Sequence, residues 1–432
     1  MQRLRGIAID VRPLREVPAF RRLWLGQTIS MLGSSVAAVA VPYQLYTLTG
    51  STLLLGLLAL CQLVPLLVAP LAGGAIADAM DRRKLILWSE VALTVVATLF
   101  VVNAVLPRPQ VWALFVLEFI LTLFAGFGWP ALRSAIPRLV PPDQIKAAAS
   151  LQSLQGNISH VAGPALGGVL IAGVGLTGTY IIDAASYAFS ILAVVALPAI
   201  RPLEGSERPS LRTVADGFRF VRSQKPLLGI FLLDSNAMIF GMPRAIMPAF
   251  ALHRLGGDAA TLGLLYAAPY AGALSATLLV SGWLRNVRRM GQGVAVAAAA
   301  WGGAIVVFGF SRSLWLALVA LAIAGAADMI SAVLRSTMVI DVTPDAMRGR
   351  VAGIELMQVA STPALGDLES GVLASATSVR LSVVSGGLAC IGGTIAIAAL
   401  VPALLRYDAH RQRAEHHAAE AEAEAAAAGA VP

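Results

Sequence analysis

Between residues 23 and 403 the chain repeats one pattern: a long, mostly apolar run, closed by a short polar or turn-forming stretch. In the first part the runs cover 23–46, 51–77, 85–106, 111–133, 148–173 and 178–199. In the second they cover 227–250, 261–284, 291–310, 313–334, 352–376 and 380–403. A helix of about 20 residues crosses the roughly 30 Å hydrocarbon layer of a bilayer. Every backbone N–H and C=O in hydrocarbon needs an internal partner, so these twelve runs are expected to be helices. The two-residue alternation of a membrane barrel is absent. Composition agrees. The apolar set makes up 57% of the 432 residues and charged residues only 13%, against about 25% charged in a soluble domain. The expected fold class is an all-α membrane protein with 12 transmembrane helices. A soluble enzyme, a disordered chain and a disulfide scaffold are disfavoured.

An even number of spans puts both chain ends on one side. The net charge is +8, from 32 Lys and Arg against 24 Asp and Glu. Of the basic residues, 27 fall in the segments on the side of the termini and four on the other: Arg108, Arg254, Arg312 and Arg380. Arg244 lies within a span. Basic loops stay on the cytoplasmic side, so the expected location is the inner (plasma) membrane, with both termini cytoplasmic. The positive charge is then an insertion signal, and no nucleic-acid partner is expected. The Arg-rich 1–22 segment runs into a first apolar stretch without a small-residue cleavage pattern, which reads as a retained helix. Cys61 and Cys390 lie in apolar runs without metal-type spacing.

The longest connection on the terminal side, 200–226, opens Arg-Pro-Leu-Glu-Gly-Ser-Glu-Arg-Pro-Ser, a linker signature. It continues with Leu211, Val214, Phe218 and Val221, interleaved with Arg212, Arg219 and Arg222. This spacing predicts a short amphipathic helix, lying at the membrane interface or packed on the ends of the spans. The linker separates two halves that echo each other. Arg133-Ser134 with Pro142-Asp143 recurs as Arg335-Ser336 with Pro344-Asp345, and Pro164-Ala165-Leu166-Gly167 recurs as Pro363-Ala364-Leu365-Gly366. Gly74 and Asp78 have a weaker counterpart in Gly282 and Asn286. The expected organisation is a 1–22 terminal segment, a 23–199 six-helix bundle, the 200–226 linker, a 227–403 six-helix bundle and a 404–432 Ala/Glu-rich tail.

Gly74-Ala75-Ile76-Ala77-Asp78-Ala79-Met80-Asp81-Arg82-Arg83 resembles the loop motif between spans two and three of the major facilitator superfamily. Gly74, Asp78, Arg82 and Arg83 match it. Ala79 stands where a basic residue is usual, and Asp81 where Gly is usual. The Asp81 form, with Phe20-Arg21-Arg22-Leu23-Trp24 and Arg133-Ser134-Ala135-Ile136-Pro137, resembles a subgroup of enterobactin exporters and macrolide efflux proteins. The fifth span carries Gly156 and Gly163-Pro164-Ala165-Leu166-Gly167-Gly168, which resembles the antiporter motif of proton-coupled drug exporters. The resemblance covers residues 18–405. It implies the major facilitator fold, a gating role for Gly74, Asp78, Asp81, Arg82 and Arg83, and a close-packing or hinge role for the fifth-span motif. It also implies export of a small molecule rather than uptake.

Ionisable groups at bilayer depth are costly unless they face protein, water or a partner, and so mark candidate sites. Glu118 lies well within span four, Asp328 in span ten, and Asp367 and Glu369 in span eleven. These four are the proton-coupling candidates, because burial of a carboxyl group favours its neutral, proton-holding form. Asp367 and Glu369, two apart, do not share a helix face. Arg244 and Asp234 lie in span seven, ten residues apart, too far for contact along an unkinked helix. With Trp129 and Tyr43 they are the substrate or counter-ion candidates. Asp183, near a span end, is expected to cap a helix or face water. His160, in span five, is of a type able to do proton work, and a lone histidine in a helix bundle also reads as a packed hydrogen-bonding residue. Tyr46, Phe127, Tyr266 and Tyr270 are further candidates for a cavity wall.

These readings point to a secondary exporter of a small amphipathic molecule, siderophore or drug-like, working by proton antiport. An uptake carrier and a non-transporting receptor or assembly protein on the same fold stay open. No enzyme is expected: no catalytic triad, phosphate loop or metal-ligand cluster is present in the sequence. The expected partners are the substrate, protons and the lipid bilayer. A functional monomer without cofactor or metal is expected.

Overall fold

The computed structural model describes residues 10–200, 211–284 and 287–408. The tail after residue 408, residues 201–210 of the expected linker, residues 1–9 and Asn286 lie outside the described residues. Among the described residues all regular structure is helical. A short α1 (Arg12–Glu16) leads into α2 (Pro18–Thr49), α3 (Thr52–Ala79), α4 (Arg82–Val105) and α5 (Val111–Leu139). A 3-10 turn, Pro142–Gln144, then enters α6 (Ile145–Val195). The second half begins with α7 (Leu211–Ser223), α8 (Lys225–Phe240) and α9 (Met247–Ala249). It continues through α10 (Ala259–Leu284), α11 (Met290–Phe310), α12 (Leu314–Val342), α13 (Asp345–Ala376), α14 (Val379–Leu400) and α15 (Pro402–Leu405).

Among the described residues, nine helices are long and apolar enough to cross a membrane. One of them, α6, contains two of the expected runs. It breaks at Gly175, whose backbone (φ 74, ψ 175) is left-handed and open to glycine without strain. Its first arm approaches α2 at Ser35 and Val36, and its second arm returns along α2 past Gly33 and Gly26, so the two arms are antiparallel. The expected tight hairpin is thus a reversal centred on one glycine. The remaining two runs correspond to α8, shortened by a break, and to α13, which is less apolar. Together they are consistent with the twelve expected spans.

Helix ends follow the local sequence. Gly50 (φ 64) ends α2, its N–H donating to the Tyr46 carbonyl at 2.7 Å. Ser51, Ser313 and Ser378 accept from the third residue on, Leu54, Leu316 and Leu381, at 3.3, 3.4 and 3.2 Å. The starts of α2 and α4 and the end of α14 share one face, here called the terminal face. The Gly50, Gly175 and Ser378 turns lie at the opposite face.

The two halves meet near that opposite face. Gly168 of α6 packs backbone to backbone on Gly263 of α10: a Cβ on either would fall 2.9 Å from the other's Cα. Gly56 of α3 packs on α13 in the same way. Its Cβ would lie 2.8 Å from the Asp367 carbonyl oxygen, and a Cβ on Gly371 would lie 3.0 Å from the Gly56 Cα. Small residues are what let membrane helices approach this closely. Nearer the terminal face, a Cβ on Gly74, Gly156, Gly282 or Gly353 would meet nothing within 4 Å.

The predicted linker helix is present as α7. It packs on the end of α13: Arg350 lies 3.7 Å from Asp216, Gly217 abuts the Arg350 backbone, and Val221 is buried. Packing on the span ends, one of the two placements left open by the sequence, is present.

Candidate functional site

A cavity of about 520 Å³ lies between the two halves. Its first-half wall includes Gln62, Glu118, His160 and Tyr187, and its second-half wall Arg244, Tyr266, Tyr270 and Asp367. Mostly apolar walls with a few convergent polar groups are the usual make-up of a small-molecule site.

The second-half wall is built by a break in the seventh span. Continuous helix is expected over 227–250, but α8 stops at Phe240 and regular α-helix resumes only at Met247. Gly241, Pro243 and Pro248 supply the cause: a flexible residue and two rings that cannot donate to a helix ladder. The freed backbone groups find side-chain partners. The Trp301 indole N–H donates to the Gly241 carbonyl at 2.6 Å, and the Tyr266 hydroxyl to the Arg244 carbonyl at 3.1 Å. The Ala245 N–H donates to Asp367 Oδ1 at 2.9 Å. Arg244 Nη2 donates to Asp367 Oδ2 at 3.0 Å. Two sequence candidates, Arg244 and Asp367, are thereby brought together. A break inside the membrane is tolerated where its polar groups are satisfied and border a cavity.

On the first-half wall Glu118 is buried and accepts from Gln62 Nε2 at 3.0 Å. No lysine or arginine pairs with it among the described residues. His160 stacks on Tyr270 across the two halves, with ring centroids 5.1 Å apart and planes 14° apart.

The other candidates are dispersed. Asp234 forms an ion pair with Arg335 of α12, with Asp328 3.9 Å from the same guanidinium. Asp234 therefore has a partner on another helix, and none in Arg244. Glu369 is half-buried and outside the cavity lining. Tyr43 packs against the main hydrophobic cluster. Trp129 is exposed, with the Arg133 guanidinium 4.2 Å above its ring. Tyr46, expected on the cavity wall, is buried and meets His253 edge-on.

Asp183 corrects an expectation. It neither caps a helix nor faces water. It is 1% exposed, on the α6 arm that packs against Gly33, and neither carboxylate oxygen has a hydrogen-bond partner among the described residues. Nearness to a span end signals a wet position. The close α2–α6 packing that seals it is a tertiary feature.

The motif between α3 and α4 is a tie among helix ends of the first half. Asp81 Oδ1 accepts from the Arg83 N–H at 2.9 Å, capping α4, and from the Ile200 N–H at 3.1 Å. The Arg82 N–H donates to the Ile200 carbonyl at 3.0 Å, and its Nε donates to Ser134 Oγ at 2.8 Å. Arg83 donates to the Val194 and Val195 carbonyls at the end of α6. Cations at a helix C-terminus are favourably placed. The side chain of Asp78 lies outside the described residues. In the fifth-span motif, Gly163 packs on Ser35, Gly167 on Val36 and Gly168 on α10, Pro164 lines the cavity, and a Cβ on Gly156 would meet nothing within 4 Å.

Residues 9–429 match a family model described as transmembrane secretion effector. The enterobactin exporter EntS of Citrobacter koseri is 33% identical over 387 residues, covering 89% of this chain and 92% of that protein. The EntS protein of Shigella boydii serotype 4 is 32% identical over the same shares. Among solved structures, a mutant form of the nucleoside transporter NupG superposes with TM-score 0.74 at 15% identity, covering 90% of this chain and all of that one. A bacterial homolog of the lysosomal transporter Spinster, inward-facing and unoccupied, gives TM-score 0.69 at 14% identity, with 93% and 98% covered. These relatives are transporters and not enzymes. Fold, motifs and relatives agree that this chain belongs to the transmembrane secretion effector family of the major facilitator superfamily and is a multi-pass membrane transporter.

Proposed function

We propose that this protein exports a small amphipathic molecule, siderophore or drug-like, in exchange for inward proton movement. The observation that carries the reading is Glu118: a buried carboxyl on the wall of a molecule-sized cavity, held by a neutral glutamine and by no cation among the described residues. Such a group is free to gain and lose a proton as the cavity changes its access. The likeness to enterobactin exporters supports outward movement.

The 27 basic residues in the terminal-side segments of the sequence support a cytoplasmic placement of that face. The glycine contacts between the halves, Gly168–Gly263 and Gly56–Gly371, then close the cavity on the outside, which supports an inward-open form, ready to load from the cytoplasm. The Asp81–Arg82–Arg83 tie holds the first-half helix ends in this form and acts as part of the gate. The protein works as a monomer in the inner membrane.

The test is transport by purified protein in vesicles under an imposed pH gradient, with a panel of siderophores and drugs. Gradient-driven accumulation on the side away from the tail is expected for at least one solute. The Glu118→Gln variant, which cannot release a proton, should lose gradient-driven transport while keeping solute exchange without a gradient. Unchanged coupling in Glu118→Gln would sink the assignment of Glu118. Absence of flux for every solute, with folded protein, would favour a receptor.

A further inference from the structure

The two halves treat their buried carboxylates differently. In the second half Asp367 has Arg244 and Asp234 has Arg335. In the first half Glu90, Glu118 and Asp183 are 5%, 8% and 1% exposed, and none has a cationic partner among the described residues. Glu90 has one oxygen on Gln27 at 2.6 Å and the other without a hydrogen-bond partner among the described residues. Asp183 has no hydrogen-bond partner on either oxygen among the described residues.

Asp183 belongs to a polar seam between α2 and the second arm of α6. The Tyr180 hydroxyl donates to Gln44 Oε1 at 2.8 Å. The Ser34 and Tyr187 hydroxyls lie 2.8 Å apart. Gln27 Nε2 reaches both Glu90 and Ser190, the latter at 2.9 Å. Tyr180, Asp183, Tyr187 and Ser190 recur three or four residues apart, so they share one helix face. Ser34 and Tyr187 also line the cavity, one turn from Asp183.

The groups around Asp183 are acidic or neutral. Its own arm offers Tyr180 and Tyr187. From α2 it meets Gly33, and from α5 the nearby ionisable group is Glu118, while Glu90 of α4 lies near Tyr187 of the same arm. His160, on the other α6 arm, is stacked on Tyr270 of α10. The basic residues of these elements sit towards the terminal-face ends: Arg21 and Arg22 on α2, Arg82, Arg83 and Lys84 on α4, Arg133 and Arg138 on α5, and Lys146 on α6. A carboxylate shut off from water, without donors or a countercharge, is strongly disfavoured against its neutral acid.

We propose that Asp183 is a proton-binding residue, protonated in this form, and that it makes with Glu118 a two-carboxyl proton site reached from the cavity past the Ser34–Tyr187 hydroxyl pair. The proton leaves an Asp183 carboxyl oxygen for Glu118 or for cavity water. The carboxylate left behind then needs donors that the α2–α6 packing withholds, so release requires the two helices to part or to admit water. Proton loss is thereby tied to a helix movement. Use of that proton in transport rests on the antiport reading; its presence on Asp183 does not.

The test is infrared spectroscopy of the full chain in lipid nanodiscs, with aspartate carboxyls labelled by carbon-13 to separate them from glutamate. At neutral pH the wild type should show the C=O band of a protonated aspartic acid, and Asp183→Asn, a neutral isostere, should lose it. A band that survives in Asp183→Asn overturns the assignment. If Asp183→Asn does not fold, the labelled wild type decides, since absence of any protonated aspartic acid band overturns the proposal. In vesicles Asp183→Asn should lose gradient-driven accumulation. Flux without the band sinks this inference alone. The band without flux for any solute sinks the export reading and leaves the proton site standing.

Discussion

Arg244 and Asp367 are a pair whose parts differ in what their loss would do. Asp367 is 5% exposed and receives both the guanidinium and the Ala245 N–H. Removing only the arginine leaves a buried carboxylate with one neutral donor, and breaking such a pair from one side costs about 3–5 kcal/mol. Arg244→Ala should therefore lower the melting temperature of the purified protein sharply. The double variant Arg244→Ala/Asp367→Asn should recover most of the loss, because no charge is left stranded. Equal melting of the single and double variants would show that the pair is not coupled. Glu118 should behave differently, since its partner is neutral. Glu118→Gln keeps an amide beside Gln62 and should leave stability nearly unchanged while altering coupling. These residues are legible as candidates in the sequence because charge is rare in the runs. Their partners are not: Arg244 meets Asp367, 123 positions later, and Asp234 meets Arg335, and only the helix packing decides this. The burial of Asp183 escapes the sequence for the same reason.

At the scale of elements, apolar run length locates the helices, while glycine and proline decide where they break. The reversal at Gly175 falls where two runs come close, so the hairpin is readable. The break after α8 is not, although Gly241, Pro243 and Pro248 stand in the sequence. Long apolar runs elsewhere keep prolines inside intact helices, as α3 does with Pro65 and Pro70. What distinguishes span seven is that other helices supply partners for its freed groups. Trp301 is the clearest of these, buried with its indole N–H on the Gly241 carbonyl. Trp301→Phe keeps most of the ring volume and removes the donor. Leaving that carbonyl unsatisfied should cost about 1–3 kcal/mol, read as a lowered melting temperature. It should also raise amide hydrogen exchange over residues 241–246. A variant as stable as wild type, with unchanged exchange there, would mean that the carbonyl finds water instead.

For the whole molecule, orientation links the charge pattern to the direction of transport. The basic residues count 27 to four across the two faces, and such a bias is set by the membrane potential and the anionic inner leaflet during insertion. If the terminal face is cytoplasmic, the cavity closed by Gly56–Gly371 and Gly168–Gly263 is closed on the outside. If it faced outward, the same contacts would describe an outward-open form, and the direction in which Asp183 and Glu118 take up protons would reverse. Two exposed loop positions decide this: Arg108, between α4 and α5 on the opposite face, and Asp143, between α5 and α6 on the terminal face. Single cysteines at these sites, in a background with Cys61 and Cys390 replaced by serine, should react differently with a membrane-impermeant maleimide on intact cells. Arg108→Cys should label before lysis, and Asp143→Cys only after it. The reverse pattern would invert the orientation and make the loading face the outer one, which is the geometry of uptake.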